Sequence, residues 1–277
     1  MHRSNERDQP TPAATIPSGY AEHLAPTDLA QYVACFWTRL APTVAIADGP
    51  AIHRVLPDGC VDIVLGFGRA GEHGAAELTE AIGVGSMTRP LLITRQRPGL
   101  YLGVRFRPGY AFAALGIPAS ELTDERISYS LLARDAAAEL DAISALATNE
   151  TRLEAMVALV RRRLAGACAV PASVRAAVHR ISAAQGGLRI AALASSIGIT
   201  RHQLARLFAT HVGVTPKTFA RVMRAHAVIA RVDAARAAYP RRVDWSAIAY
   251  ELGYYDQPHF IDDFKALTGT TPGEWTG

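Results

Sequence analysis

The chain has 277 residues, 49% of them apolar and 19% charged, with a net charge of +4. That length points to two folded domains, and no apolar run approaches the ~18 residues a membrane span needs. Three scattered cysteines, Cys35, Cys60 and Cys168, argue against a disulfide framework or a zinc site, so a reducing cytoplasm is the expected setting. The charge is uneven. Residues 168–277 hold 13 Lys and Arg against 7 Asp and Glu, a net +6, which leaves 16 against 18, a net −2, over residues 1–167. A basic second half is what phosphate neutralisation asks for.

In chain order, residues 1–17 are polar and proline-bearing, without the apolar core of a secretory signal, and are expected to be a disordered tail. Asp28 is placed to cap a short helix, and Tyr32–Thr38 reads as a strand. His53–Leu56, the turn Pro57-Asp58-Gly59 and Cys60–Leu65 then read as strand, turn, strand, because proline presets φ and glycine supplies a positive one. A glycine-bearing flexible loop follows over 68–79, then strand candidates at Ala81–Val84, Leu91–Thr94 and Leu100–Phe106. Turn signals at this spacing suggest a small antiparallel barrel or sandwich. Short helices are expected at Tyr110–Leu115 and from Pro118. The stretches Asp135–Ala147 and Arg152–Ala165 are amphipathic, and this pair either covers the barrel or faces a second subunit. Residues 166–172 have the small-residue and proline character of a linker.

The last quarter repeats itself at an offset of about 56 residues. Leu204 falls on Phe260, Phe208 on Phe264, Gly213 on Gly269, Thr215 on Thr271, Pro216 on Pro272 and Phe219 on Trp275. Each copy reads as a short apolar helix, a turn with glycine (Gly198, Gly253), and a second helix capped by Thr200 or Asp256, the description of a helix-turn-helix. After each comes a Gly-x-Thr-Pro step. There glycine ends one helix, threonine caps the next and proline takes its first position, leaving free amides that suit a phosphate. The first helix of this region is expected from Ser173 to Gln185.

The patterns Leu204-x-Arg206-x-Phe208, Gly213-x-Thr215-Pro216-x-x-Phe219, Asp256-Gln257-Pro258-His259-Phe260 with Phe264-Lys265, and Gly269-x-Thr271-Pro272 resemble the DNA-binding domain of the AraC/XylS family of transcription regulators. The resemblance covers about residues 170–277. It implies seven helices, a long connector from Pro216 towards Ala238, and two recognition helices in successive major grooves. In the first half, Arg54–Ile63, Gly83-x-Gly85-x-Met87-Thr88-Arg89-Pro90 and Gly103–Gly109 are similar to an uncharacterised N-terminal domain carried by some AraC-type regulators, a divergent cupin-like sensor. The expected architecture is therefore α+β in two domains. A small antiparallel, cupin-like β-barrel with covering helices (18–165, sensing and dimerisation) precedes an all-α domain (173–277) of two helix-turn-helix motifs joined by a long helix.

Arg201, His202, Gln203 and Arg206 lie outside the apolar stripe of the first recognition helix. Arginine reads guanine and glutamine reads adenine in the major groove. The resemblance places Arg206 and His202 at DNA-contact positions. In the second reader Gln257 and His259 match such positions, but Asp262 stands where Arg206 stands in the first. Asp262 either puts base reading in doubt, leaving a backbone grip through Lys265 and the amides after Thr271, or accepts from cytosine. Lys217, beside the first Gly-x-Thr-Pro step, is a further DNA-contact candidate. The repeated aromatics Phe208, Phe219, Phe260, Phe264 and Trp275 read as core, and His211 and His226 as structural. Arg54, Asp58, Asp62 and Arg105 read as salt-bridging charges, or alternatively as a pocket for a small effector.

No cofactor, metal site or catalytic arrangement is expected, so the chain is read as a regulator rather than an enzyme. An architectural DNA-binding protein is the nearest alternative, and an enzyme housed in the barrel a more distant one. The partners expected are double-stranded DNA, an unidentified small effector, RNA polymerase for an activator, and a second copy of the chain.

Overall fold

A computed structural model describes residues 19–41, 53–68, 77–93, 99–238 and 243–275. The expected tail over 1–17 and most of the expected loop over 68–79 lie outside these residues. Among the described residues no helix is long and apolar enough to cross a membrane.

The first half is built on an antiparallel sheet. Its strands are β1 (Tyr20–Leu24), β2 (Val33–Ala41), β4 (Val61–Gly68), β5 (Leu78–Val84), β7 (Gly99–Phe106) and β8 (Arg126–Ser128), in the order β1-β2-β7-β4-β5-β8. The short strands β3 (His53–Val55) and β6 (Leu91–Ile93) pair separately. The six-stranded sheet does not close on itself among the described residues.

Side chains alternate across a strand, and this sets the two faces. Phe36, Ile63, Leu65, Phe67, Leu102, Val104 and Phe106 point to one side and are buried. Four helices, α1 (Ala111–Leu115), α2 (Tyr129–Leu132), α3 (Ala136–Ser144) and α4 (Asn149–Leu164), close over them. They contribute Leu115, Tyr129, Leu132, Ile143, Met156, Leu159 and Val160 to the same core. The two amphipathic helices thus cover their own sheet. The opposite face carries Trp37, Arg39, Asp62, Tyr101 and Arg105, as the register of β2, β7 and β4 requires.

The segment Pro57-Asp58-Gly59 lies between two strands, as expected, with Gly59 at φ 77, and those strands are not paired with each other. β3 pairs with β6, and β4 runs between β5 and β7. The segment crosses between the two sheets, and Leu56 enters the core of the second domain. One expectation is corrected: Asp28 caps no helix. The chain there makes a turn, with the Leu29 and Tyr32 amides donating to the Pro26 and Leu29 carbonyls, and the Asp28 carboxylate pairs with Arg161 of α4 at 2.6 Å.

The second half is all helix: α5 (Ala172–Ala183), α6 (Ile190–Ser196), α7 (Arg201–His211), α8 (Pro216–Ala238), α9 (Trp245–Glu251), α10 (Gln257–Thr268) and a closing 3₁₀ turn, Pro272–Glu274. The repeat is physical. Leu204 and Phe260, Phe208 and Phe264, and Phe219 and Trp275 are all buried at matching places. Each copy has its own core, one from α5, α6, α7 and the start of α8, the other from the end of α8, α9 and α10. The caps are as expected, the Gln203 amide donating to Thr200 Oγ1 and the His259 amide to Asp256 Oδ1.

Phe208→Ala and Phe264→Ala should each cost about 3–5 kcal/mol of unfolding free energy. The exposed Tyr250→Ala should stay within about 0.5 kcal/mol. Chemical denaturation of the three variants checks the assignment of core and surface.

Candidate nucleic-acid interface

The first candidate reader is α7. Its apolar stripe, Leu204, Phe208 and Val212, is buried, which turns Arg201, His202, Gln203 and Arg206 outward, and all four are exposed. Lys217, in the first turn of α8, is exposed as well. The surroundings of Gln203 differ from a free adenine reader. Its Oε1 accepts from both the Thr200 amide (2.9 Å) and the Thr200 hydroxyl (3.0 Å) in the helix-capping arrangement. The amide NH₂ group remains to donate. A two-point contact to adenine needs both ends of the carboxamide, so it would have to break the cap.

The second candidate reader is α10, with Gln257, His259, Asp262 and Lys265 exposed. Its pair of acidic residues divides. Asp262 faces out, whereas Asp263 is only 7% exposed at its side chain and is neutralised by Arg221 of α8 at 2.7 Å. His259 Nε2 lies 3.8 Å from the same carboxylate. Only one of the two acids therefore keeps an exposed charge. A neighbour escapes reasoning from sequence. In the Tyr254-Tyr255 pair, Tyr254 is 5% exposed and packs on His259 and Phe260, while Tyr255 is 97% exposed next to the cap of α10. The signal was two adjacent tyrosines after a glycine, of which a tight turn can bury one.

Several cations of this half serve the fold rather than the surface. Arg221 binds Asp263, Arg224 lies over the Tyr254 ring and donates to the Gly186 carbonyl, Arg231 reaches Glu251 and Gln185, and Arg236 donates to the Trp275 carbonyl.

In the N-terminal domain the structure brings together three of the four candidate effector residues. Arg105 Nε stands 3.3 Å from Asp62 Oδ1 and 3.5 Å from Asp58 Oδ2. The Trp37 indole donates to Asp62 Oδ1 at 3.0 Å, and the Cys60 amide to Asp58 Oδ1 at 2.8 Å. The Asp62 carboxylate, with Asp58 behind it, holds the Arg105 guanidinium well above its ordinary value, and burial pushes the Cys60 thiol well up. Arg54 stands apart, beside Gly269 at the end of α10. Arg39, which the sequence did not single out, shares a sheet face with Trp37 and Tyr101, and its buried Nε has no hydrogen-bond partner among the described residues.

This cluster adjoins the second domain. Asp58 lies in the Pro57–Gly59 segment, and that segment touches α8. His226 Nε2 meets the Pro57 carbonyl at 2.6 Å, and a Cβ on Gly59 would come within 2.5 Å of the Phe219 ring. His226 and His211 are structural: His211 is buried edge-on against Phe112 of α1.

Residues 193–277 match a family of helix-turn-helix domains of the AraC type, and residues 21–128 match a family of domains of unknown function. No curated protein matches the chain. Among solved structures, one of ToxT from Vibrio cholerae at 1.65 Å is 11% identical, with a TM-score of 0.41, over 87% of this chain and 99% of that one. Another, unsaturated fatty acid bound wild-type ToxT from the same organism, is 10% identical, with a TM-score of 0.35, over 83% and 96%.

His53, on β3, gives a pH test of the first domain. Burial, reinforced by the charge of Arg39, pushes its imidazole down to about 4. An unfolded chain protonates the same ring near pH 6.5 or so, roughly its reference value. Stability held above that pH should therefore be lost as pH falls towards about 4, because the unfolded state takes up a proton the folded state refuses. His53→Gln should flatten this part of the acid-side decline in denaturation midpoints.

Proposed function

We propose that this chain, which ends in a helix-turn-helix domain of the AraC type, is a sequence-specific DNA-binding transcription regulator controlled through its N-terminal domain. One observation carries the reading. The N-terminal end of α7 stands free with Arg201, His202 and Arg206 exposed, while its other end, at His211 and Val212, is buried. Arg206 and Arg201 have the chemistry to read guanine, with the Gln203 NH₂ group and His202 as further donors. Lys217 and the amides at the start of α8 would hold phosphates. α10 would enter the next groove with Gln257 and His259 at its leading end and Lys265 towards the backbone. Tyr255 would add a hydroxyl to a phosphate.

The N-terminal domain would take a small effector on the sheet face of Trp37, Arg39, Asp62 and Arg105. Among the described residues Arg105 is already matched by two carboxylates and Arg39 by none, so an acidic group on the effector would go to Arg39. Binding that draws on Asp62 or Arg105 loosens the hold on Asp58, and Asp58 lies on the segment that meets α8. The effector then acts by differential affinity for two poses of that segment. Activation, with RNA polymerase as partner, is the mode the family resemblance favours.

Selection of bound sequences from random DNA at physiological salt tests this. Wild type should enrich a motif. Arg206→Ala should lose about 1–3 kcal/mol and relax one base position, while Lys217→Ala should weaken all sequences alike and lower the salt slope by about 1. No enriched motif, with binding that vanishes as salt rises, would point to an architectural role instead.

A further inference from the structure

The two readers are covalently joined by α8, and the N-terminal domain meets them at equivalent points of the repeat. In the first copy the carbonyls of Val212, the residue capping α7, and of Gly213 just beyond it face the N-terminal domain. They accept from the Ser86 hydroxyl at 2.6 Å and the Thr123 hydroxyl at 2.7 Å. Gly213, at φ 92, sits so close that a Cβ would lie 2.9 Å from the Ala119 carbonyl. In the second copy the matching residue is Gly269, at φ 79, where a Cβ would lie 3.1 Å from Pro90 and 3.8 Å from Arg54 Nε. That Nε is buried without a hydrogen-bond partner among the described residues, close to the C-terminal end of α10, where a helix favours positive charge. Between the seats, Leu56 enters the second core and the Pro57 carbonyl meets His226 on α8.

The parts that make these seats are tied to one another. The Thr88 amide and hydroxyl both donate to the Asp124 carboxylate, at 2.7 and 2.6 Å. The Asp124 amide donates to the Ser86 carbonyl and the Gly85 amide to the Glu125 carbonyl, each at 3.1 Å. Ser86 Oγ is also 3.3 Å from the Gly59 carbonyl. The segments 54–59, 85–90 and 119–125 thus form one block, holding a seat for each copy.

A long helix with a module at either end can bend and twist. A second tie across the modules removes that freedom. We infer that the N-terminal domain is a gauge for DNA recognition: by seating both Gly-x-Thr-Pro steps on one block, it sets the spacing at which the two half-sites of an operator can be read together. The inference rests on the reading that α7 and α10 both meet DNA. Ser86, Thr123 and His226 are then positioning residues, acting through the pose of the readers without touching the duplex. The demand on pose is steep, since one added base pair turns one half-site about 34° and moves it about 3.4 Å relative to the other.

The test uses full-length protein and the selected operator with its half-site spacing changed in single-base-pair steps. Affinities are compared for wild type, the Ser86→Ala/Thr123→Val double variant and His226→Leu, each first shown to melt cooperatively. Wild type should bind roughly tenfold more weakly after a one-base-pair change, similar in size to the effect of one mismatched base pair. The double variant should bind the best spacing within roughly threefold of wild type, yet weaken by less than roughly threefold on a one-base-pair change. His226→Leu, which acts on α8 and leaves the seats intact, should broaden the profile in the same direction and serves if the double variant does not fold. A spacing profile unchanged in both variants would overturn the inference. So would a uniform rise in affinity at every spacing, which would make the seam an inhibitory contact. Wild type that binds a lone first half-site as tightly as the pair would sink the underlying reading of α10 before any variant is compared.

Discussion

Hydrogen-bond satisfaction at the end of α7 governs how this molecule is assembled. A helix leaves its last carbonyls without partners, and here they are turned into a protein interior rather than into water. A buried acceptor without a donor costs about 1–3 kcal/mol, so the donors must come from whatever covers it. They come from another domain: Ser86 and Thr123 supply hydroxyls to Val212 and Gly213. The same seam buries Leu56 and packs Phe112 on His211 and Gly59 on Phe219. Separating the domains would expose these groups together. The end of α7 is therefore completed by hydroxyls of the other domain, while Arg201, His202 and Arg206 at its leading end stay exposed.

This arrangement divides the helix by function. Its leading end is left to solvent and its trailing end is held. Arg105 holds Asp58, Asp58 shares a segment with Pro57 and Gly59, and these lie on α8. One short segment thus links the charges of the sheet face to α8.

Charge is divided in a similar way. The basic excess of the second half drew attention to nucleic acid, yet Arg221, Arg224, Arg231 and Arg236 direct their charge into the domain. The exposed cations at the readers are Arg201, Arg206, Lys217 and Lys265. Conversely, the acidic look of the second recognition helix is halved, because Asp263 is buried against Arg221. Net charge counts residues, whereas a phosphate responds to those that remain unpaired at the surface.

The tandem helix-turn-helix, its caps, its inward aromatics and the outward face of α7 were open to reading from residues alone. They follow from helical period and cap chemistry, which act over three or four residues. Most strands of the first domain were recoverable for the same reason, being apolar runs with alternation; the short edge strands β1 and β8 were not. Pairing was not recoverable. Pro57-Asp58-Gly59 keeps its turn chemistry, with Gly59 at φ 77 and the Cys60 amide donating to Asp58, but β3 pairs with β6 and Leu56 is buried in one core with Val228, Ile229 and Val232 of the other domain. Gln203 reads as free until its cap bond is seen, and Asp263 reads as surface until Arg221 is found 42 positions away. Local chemistry sets which elements form and which faces they bury. Which charges stay free, and which surface covers a helix end, depends on contacts between distant residues that only the packed chain brings together.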